Sequence, residues 1–291
     1  MRGPETSLPG IGSLIARYEL LERLGDAAHG VLYRARDTGN GRPALLHVLS
    51  KSQAGPRDAA LRDGRIAASL QHPNIAAFLE TGEDGSVRFL AMEHVSGRTL
   101  GSILETGALP WPEAARYAGQ LAGALAAAHE AAILHRNLEP ATVMVTETGD
   151  IKLLGFGLPA QEAGPYSSPE QAARRRVDTR SDIFSLGALL YDMVAGRGAF
   201  ASAPADLRPA VPAGVPKALV RIVERCLREA PGRRYQSMEA VKTALDKALE
   251  RPAARRLSSG RIIAAGAAAA LLTVVAWKSG ASRGARQPEA R

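Results

Sequence analysis

Cysteine occurs once, at Cys226, so no disulfide can close within the chain. This excludes a disulfide-stapled scaffold, fits a reducing compartment, and leaves Cys226 as a buried filler residue. Aromatic residues make up only 4% of the sequence, and arginine is spread along the chain instead of alternating with them. A nucleic-acid stacking platform is therefore not expected, and the net charge of +8 reads as a solvated or membrane-facing surface. Lysine is scarce as well, being confined to Lys51, Lys152, Lys217, Lys242, Lys247 and Lys278. Any chemistry that needs a lysine at a fixed place has few candidates.

The 291 residues present suffice for one two-lobed domain with a core that needs no staples. Residues 1–16 carry glycine and proline without a periodic apolar face or a secretory pattern, and read as a flexible N-terminus. Over residues 17–95 short β-like runs ("YELLERL", "VLYRAR", "ALLHVLS", "RFLAME") are separated by turns at "GDAAHG" and "TGNGRP", with one helical stretch at about 57–70. Over residues 96–250 apolar residues recur at three- and four-residue spacing in "WPEAARYAGQLAGALAAAHEAAI", "SDIFSLGALLYDMVAG" and "VPKALVRIVERCL". The expected class is α+β, a small antiparallel sheet with a helix followed by a larger helical lobe.

A basic linker at 251–261 leads to the uncharged run "IIAAGAAAALLTVVAW", residues 262–277, and then to a basic tail at 278–291. That run makes about 24 Å of helix against a bilayer core of about 30 Å, so spanning requires Arg261 and Lys278 to snorkel and Trp277 to sit at the interface. The expectation is a single transmembrane helix; the alternative is an alanine-rich tail that frays or packs on a partner. Four arginines precede the run (Arg251, Arg255, Arg256, Arg261) and four basic residues follow it (Lys278, Arg283, Arg286, Arg291), so charge does not orient it.

The order of the remaining motifs resembles a protein kinase domain, specifically the bacterial Ser/Thr kinases of eukaryotic type with a membrane anchor behind the domain. "HPNI" (72–75), "AMEHVSG" (91–97, with Met92 as gatekeeper), "SPEQ" (168–171) and "SDIFSLG" (181–187) stand in family order from Tyr18 to Ala248. The resemblance implies a two-lobed kinase-like fold in the cytoplasm at the inner membrane face. It also implies an ion pair between Glu170 and Arg234, an Asp182 that holds the catalytic-loop backbone, and an apolar spine through His135 and Phe156.

The chemical positions depart from that pattern. The phosphate-covering turn keeps Gly25 and Gly30 but has Ala27 in the middle. "ALLH" (44–47) puts His47 where the family has its phosphate-binding lysine, and its expected glutamate partner falls at Asp63. Leu45 stands where a small residue roofs the adenine, so the vestigial nucleotide pocket of Gly25, Gly30, Leu32, Leu45, Met92 and Met144 is crowded. In "HRNLEPAT" (135–142) Asn137 replaces the aspartate that accepts the substrate proton, Glu139 replaces a lysine on the γ-phosphate, and Thr142 replaces a magnesium-binding asparagine. A carboxylate at about 4 Å from a phosphate oxygen is repelled by on the order of 4 kcal/mol at an effective dielectric of about 20. "GFG" replaces the metal-binding motif, with Gly155 in place of its carboxylate. The segment from Gly155 to Glu170 contains no threonine, only Tyr166, Ser167 and Ser168 as hydroxyl residues.

These residues act as one unit in an active kinase, so their joint replacement points to a pseudokinase that scaffolds or regulates. It is expected to bind a protein partner, an active kinase of the same family being one candidate, and to need no cofactor or metal. Two alternatives stay open: an atypical Ser/Thr kinase using ATP and magnesium, and an ATP sensor without phosphotransfer.

Overall fold

A computed structural model describes residues 9–27, 30–49, 68–156, 163–196, 198, 200 and 213–250. The chain divides into two compact units, residues 1–246 and 247–291; all but the first residues of the second lie outside the described residues. The expected span at 262–277, and residues 57–67 of the expected first helix, lie outside them too. Residues 68 and 69 form a turn.

Six strands build the first sheet: β1 (Leu14–Ile15), β2 (Tyr18–Ala27), β3 (Gly30–Asp37), β4 (Pro43–Leu49), β5 (Phe78–Asp84) and β6 (Val87–Glu93), all antiparallel in the order β1-β2-β3-β4-β6-β5. The alternation of β3 sends Val31, Tyr33 and Ala35 to a core they share with Tyr18, Leu20, Leu46, Val48, Phe89 and Ala91. The central strand β4 is buried on both faces from Ala44 to Leu49, which explains its unbroken apolar run. Its other face carries Leu45, His47 and Leu49. Two expectations need correction. The N-terminal lead-in is not loose throughout, because Leu14 and Ile15 pair with Glu19 and Tyr18 and Ile15 is buried in the sheet core. β5 is an additional edge strand, disguised by a half-polar sequence, "FLETGED", in which no residue is fully buried.

The helical lobe begins with the short strand β7 (Arg98–Thr99) and helix α1 (Leu100–Leu104), followed by α2 (Trp111–Glu130). A second sheet joins β7 to β8 (Val143–Val145) and β9 (Ile151–Leu153). Then come α3 (Pro169–Ala172), α4 (Thr179–Ala195), α5 (Lys217–Cys226) and a helix entered at residue 238. α4 is buried on every side from Ser181 to Val194, as befits the centre of the lobe. α2 and α5 pack against it. Gly187 permits the second approach: a Cβ there would lie 2.5 Å from the Cβ of Cys226, which is itself buried as expected. "HPNI" ties the sheet to the lobe through Asn74, whose Nδ2 donates to the Ile151 carbonyl at 2.8 Å and whose carbonyl accepts from the Leu153 N–H.

The Glu170–Arg234 pair is present as expected. Arg234 donates from Nη1 and Nη2 to the two Glu170 oxygens at 2.7 and 2.8 Å, with Arg234 only 1% exposed. Burial alone would raise the Glu170 pKa, but hydrogen bonds from Arg234 and from Ser181 Oγ bring it down to about 2. Because the folded value lies below the ordinary 4.5, this contribution to stability is complete above about pH 4.5 and is lost as the pH falls towards about 2. Glu170→Gln strands the buried guanidinium, so it should lower stability at neutral pH by about 3 kcal/mol and flatten the loss between pH 4.5 and 2. Melting curves of both proteins across that range check it; an unchanged acid profile in the variant would show that other carboxylates govern it.

Candidate functional site

The candidate positions fall on two elements, the Leu45–His47 face of β4 and the loop between α2 and β8. In the sheet, Leu45 stands opposite Met92 and His47 opposite Leu90, while Leu32 of β3 pairs with His47. Leu45 is 8% and Met92 3% exposed; Leu32 and Met144 are half-buried. His47 is 0% exposed, and its Nε2 would be 2.9 Å from a Cβ placed on Gly30. A Cβ at Gly30 would also collide with the Val48 carbonyl, so this glycine allows the hairpin to close over β4. Gly25 has φ +151, within the range that favours glycine. Asp63 lies outside the described residues.

The loop itself is built around Asp182. One carboxylate oxygen accepts from the His135 N–H at 3.0 Å and from His129 Nε2 at 2.8 Å, and the other accepts from the Arg136 N–H at 2.9 Å, where the backbone turns through φ +63. Burial would raise the Asp182 pKa, yet the His129 hydrogen bond and the adjacent histidines hold it below the ordinary carboxylate range. His135 accepts the Asn137 N–H on Nδ1 at 3.3 Å and therefore donates from Nε2 to the Leu154 carbonyl at 2.8 Å. Its burial lowers the imidazole pKa, keeping the ring neutral. The ring meets Phe156 edge-on at 4.7 Å, so the expected spine contact is in place.

Within this intact backbone the reactive positions hold other groups. Asn137 presents a neutral side-chain amide. Burial pushes the Glu139 pKa above its ordinary value, outweighing the opposing influence of the nearby Asn137 amide. Thr142 Oγ1 accepts the Glu139 N–H at 3.2 Å and donates to the Glu139 carbonyl at 2.9 Å, so the hydroxyl closes a 3₁₀ turn. Gly155 is buried with φ +96, and a Cβ there would meet only His135 and Thr142 at 3.7 Å. Gly155 thus brings no side-chain oxygen, and the Thr142 hydroxyl is already engaged by the Glu139 backbone. Among the described residues no group of three His, Cys, Asp or Glu side chains is arranged to hold a metal. Lys152, the one described lysine that could be considered a substitute for His47, is committed to Glu93: its Nζ lies 2.8 Å from both carboxylate oxygens.

A polar cavity of about 30 Å3, room for about one water, lies between this loop and the following segment and is lined by Arg136, Asn137, Leu138, Glu139, Gly164, Tyr166, Ser167 and Ser185. The three hydroxyls that the sequence offers there are all engaged. Tyr166 Oη donates to Asp192 at 2.7 Å, Ser167 Oγ accepts the Gly164 N–H at 3.0 Å, and the buried Ser168 caps α3 in a reciprocal pair with Gln171. Asp192, His129 and Ser185 escaped sequence reading. Their partners lie far away in the chain, and only their polar character within an apolar helix hinted at a role.

The conformation at Gly155 yields a direct test. At φ +96 any side chain is strained, so Gly155→Asp should cost about 1 kcal/mol and lower the melting temperature by about 2–4 °C. It should not create a magnesium-dependent stabilisation, because Thr142 remains bonded to the loop; a melting temperature that rises with magnesium would refute this.

Comparison with known proteins agrees with the fold. A family model described as the protein kinase domain matches residues 18–265. A probable serine/threonine-protein kinase of Clostridium acetobutylicum is 31% identical over 261 residues, covering 79% of this chain and 40% of that protein. The serine/threonine-protein kinase PksC of Streptomyces coelicolor is 31% identical over 265 residues, covering 78% and 48%. The chain thus spans less than half the length of these curated relatives. The crystal structure of the Mycobacterium tuberculosis PknI kinase domain superposes with a TM-score of 0.70 at 27% identity, covering 83% of this chain and all of that one. Sheet, helical lobe and loop order together with these matches establish that the chain belongs to the protein kinase domain family and groups with bacterial Ser/Thr protein kinases.

Proposed function

We propose that this kinase-fold domain is catalytically inactive and acts as a binding or regulatory module in signalling. The observation that carries the reading is the combination at Gly155 and Thr142: no carboxylate at the first metal position, and a hydroxyl tied into its own turn at the second. His47, buried beneath Gly30, gives the nucleotide phosphates no fixed charge, and Glu139 sets a carboxyl where the family has a phosphate-binding lysine. These residues do not fit magnesium-bound ATP. Asn137, a neutral amide, has no useful basicity towards a substrate hydroxyl.

The relatives are named as kinases, and that favours a second reading, an atypical Ser/Thr kinase. The two readings separate in one experiment. Under the inactive reading, ATP with magnesium or manganese leaves the melting temperature of the full chain unchanged, and labelled γ-phosphate is transferred neither to the chain nor to a generic substrate such as casein. A metal-dependent shift together with transfer would sink it, and a shift without transfer would mark a nucleotide sensor.

The second part of the proposal is placement at the inner membrane face through residues 262–277, with the domain in the cytoplasm and an active kinase of the same family as the candidate protein partner. It rests on the uncharged run and its basic flanks. Among the described residues no helix is long and apolar enough to cross a membrane. Alkaline carbonate extraction of cell membranes should leave the full chain in the pellet; release into the supernatant would refute the anchor.

A further inference from the structure

The outer face of α5 is cationic. Its buried residues, Leu219, Ile222, Val223 and Cys226, take one side of the helix, and four-residue spacing sets Lys217, Arg221 and Arg225 along the opposite side, all exposed. Exposed Arg228 continues the row in the turn that follows, where its N–H reaches the Arg225 carbonyl at 3.5 Å and its carbonyl accepts from Arg234 Nε at 2.7 Å. The Arg225 guanidinium lies 4.2 Å over the Tyr235 ring, which anchors that side chain. Two acids share this part of the chain, half-buried Glu224 on the same helix face and exposed Glu229. Among the described residues neither is paired with any of the four basic groups, and none of those four has another carboxylate partner. The start of the helix adds to the surplus: Pro216 gives no side-chain cap, the first turn holds no acid, and Lys217 sits at the positive end of the helix dipole. A cation there opposes the helix, so the charge is not explained by helix stability.

We propose that this face of α5 is a contact site for the anionic lipid surface of the membrane. Charge complementarity and tethering carry the choice of occupant. Residues 251–261 separate the last described helix from the uncharged run at 262–277, and that linker contributes Arg251, Arg255, Arg256 and Arg261. Fully extended, it reaches about 40 Å at most, so an inserted run keeps the lobe at the lipid surface. Residues 217–233 contain no aromatic residue, so the face offers nucleic-acid bases nothing to stack on. A row of flexible basic side chains suits a fluid layer of headgroups, where each lysine or arginine strengthens attachment roughly fivefold. The proposal rests on the membrane-anchor reading for this proximity, and the experiment below reads the anchor and the face separately.

The full chain is reconstituted into phosphatidylcholine vesicles with or without phosphatidylserine. Lys217 is then acetylated with acetic anhydride, an uncharged reagent, and its modification is followed by mass spectrometry. Phosphatidylserine should slow acetylation of Lys217 roughly fivefold, and high salt should abolish the difference. The double variant Arg221→Gln, Arg228→Gln, which leaves the contact between Arg225 and Tyr235 in place, should lose most of the protection at an unchanged melting temperature. Arg34→Gln, on β3 and paired with Glu22, should keep it. Equal rates on both kinds of vesicle, or full protection in the double variant, would overturn the proposal. Protection by a glutamate-rich peptide but not by phosphatidylserine would overturn it in favour of a protein partner. A chain that fails to insert into phosphatidylcholine vesicles sinks the anchor, and the face is then read by co-sedimentation with phosphatidylserine vesicles. Binding that the double variant loses supports the face; no binding overturns it.

Discussion

Arg234 has five N–H donors and no acceptor, and the fold supplies one oxygen for each. Two come from Glu170 and three from the carbonyls of Arg180, Arg228 and Glu229. A buried ion pair of this kind adds little net stability over an apolar pair, but losing one partner is costly, so the pair persists as a unit. Its geometric effect is larger than its energetic one. It fixes the start of α4, the loop before the helix at 238 and the end of the segment following Phe156 relative to one another, none of which depends on whether a phosphate is ever transferred.

The same separation of support from chemistry appears in the loop. Asp182 grips the N–H groups of His135 and Arg136, and a backbone N–H is indifferent to the side chains at 137 and 139. His135 then bonds the Leu154 carbonyl and meets Phe156 edge-on, holding Gly155 between fixed neighbours. A loop held in this way keeps its shape when its reactive side chains change. Thr142 even strengthens it, since its short hydroxyl reaches the Glu139 backbone.

Much of this was legible in the sequence, for identifiable reasons. β2, β3, β4 and β6 announced themselves because each buries at least one face, whereas β1 is two residues long and β5 an edge strand with a glycine, so neither carries a pattern. α2, α4 and α5 were readable from helical spacing. The Glu170–Arg234 pair, 64 residues apart, was accessible only through the family resemblance, because no local pattern encodes a contact of that range. Strand alternation separates Lys152 from its core-facing neighbours Ile151 and Leu153, and its bond to Glu93 is a commitment that spacing alone could not reveal.

The distribution of kept and replaced residues constrains what the domain is for. Residues that bind backbone, among them Asp182, Glu170, Arg234, Ser168 and Asn74, match the family motif, while those that would touch nucleotide or metal, at 47, 137, 142 and 155, do not. If the chain no longer needed a defined shape, nothing would maintain the costly buried charges at Asp182 and Arg234, whose desolvation is tolerated only with every hydrogen bond in place. Those charges hold the loop at 135–136 and the turn after α3 through backbone groups and each other, so the support of the fold is independent of the side chains at 47, 137, 142 and 155.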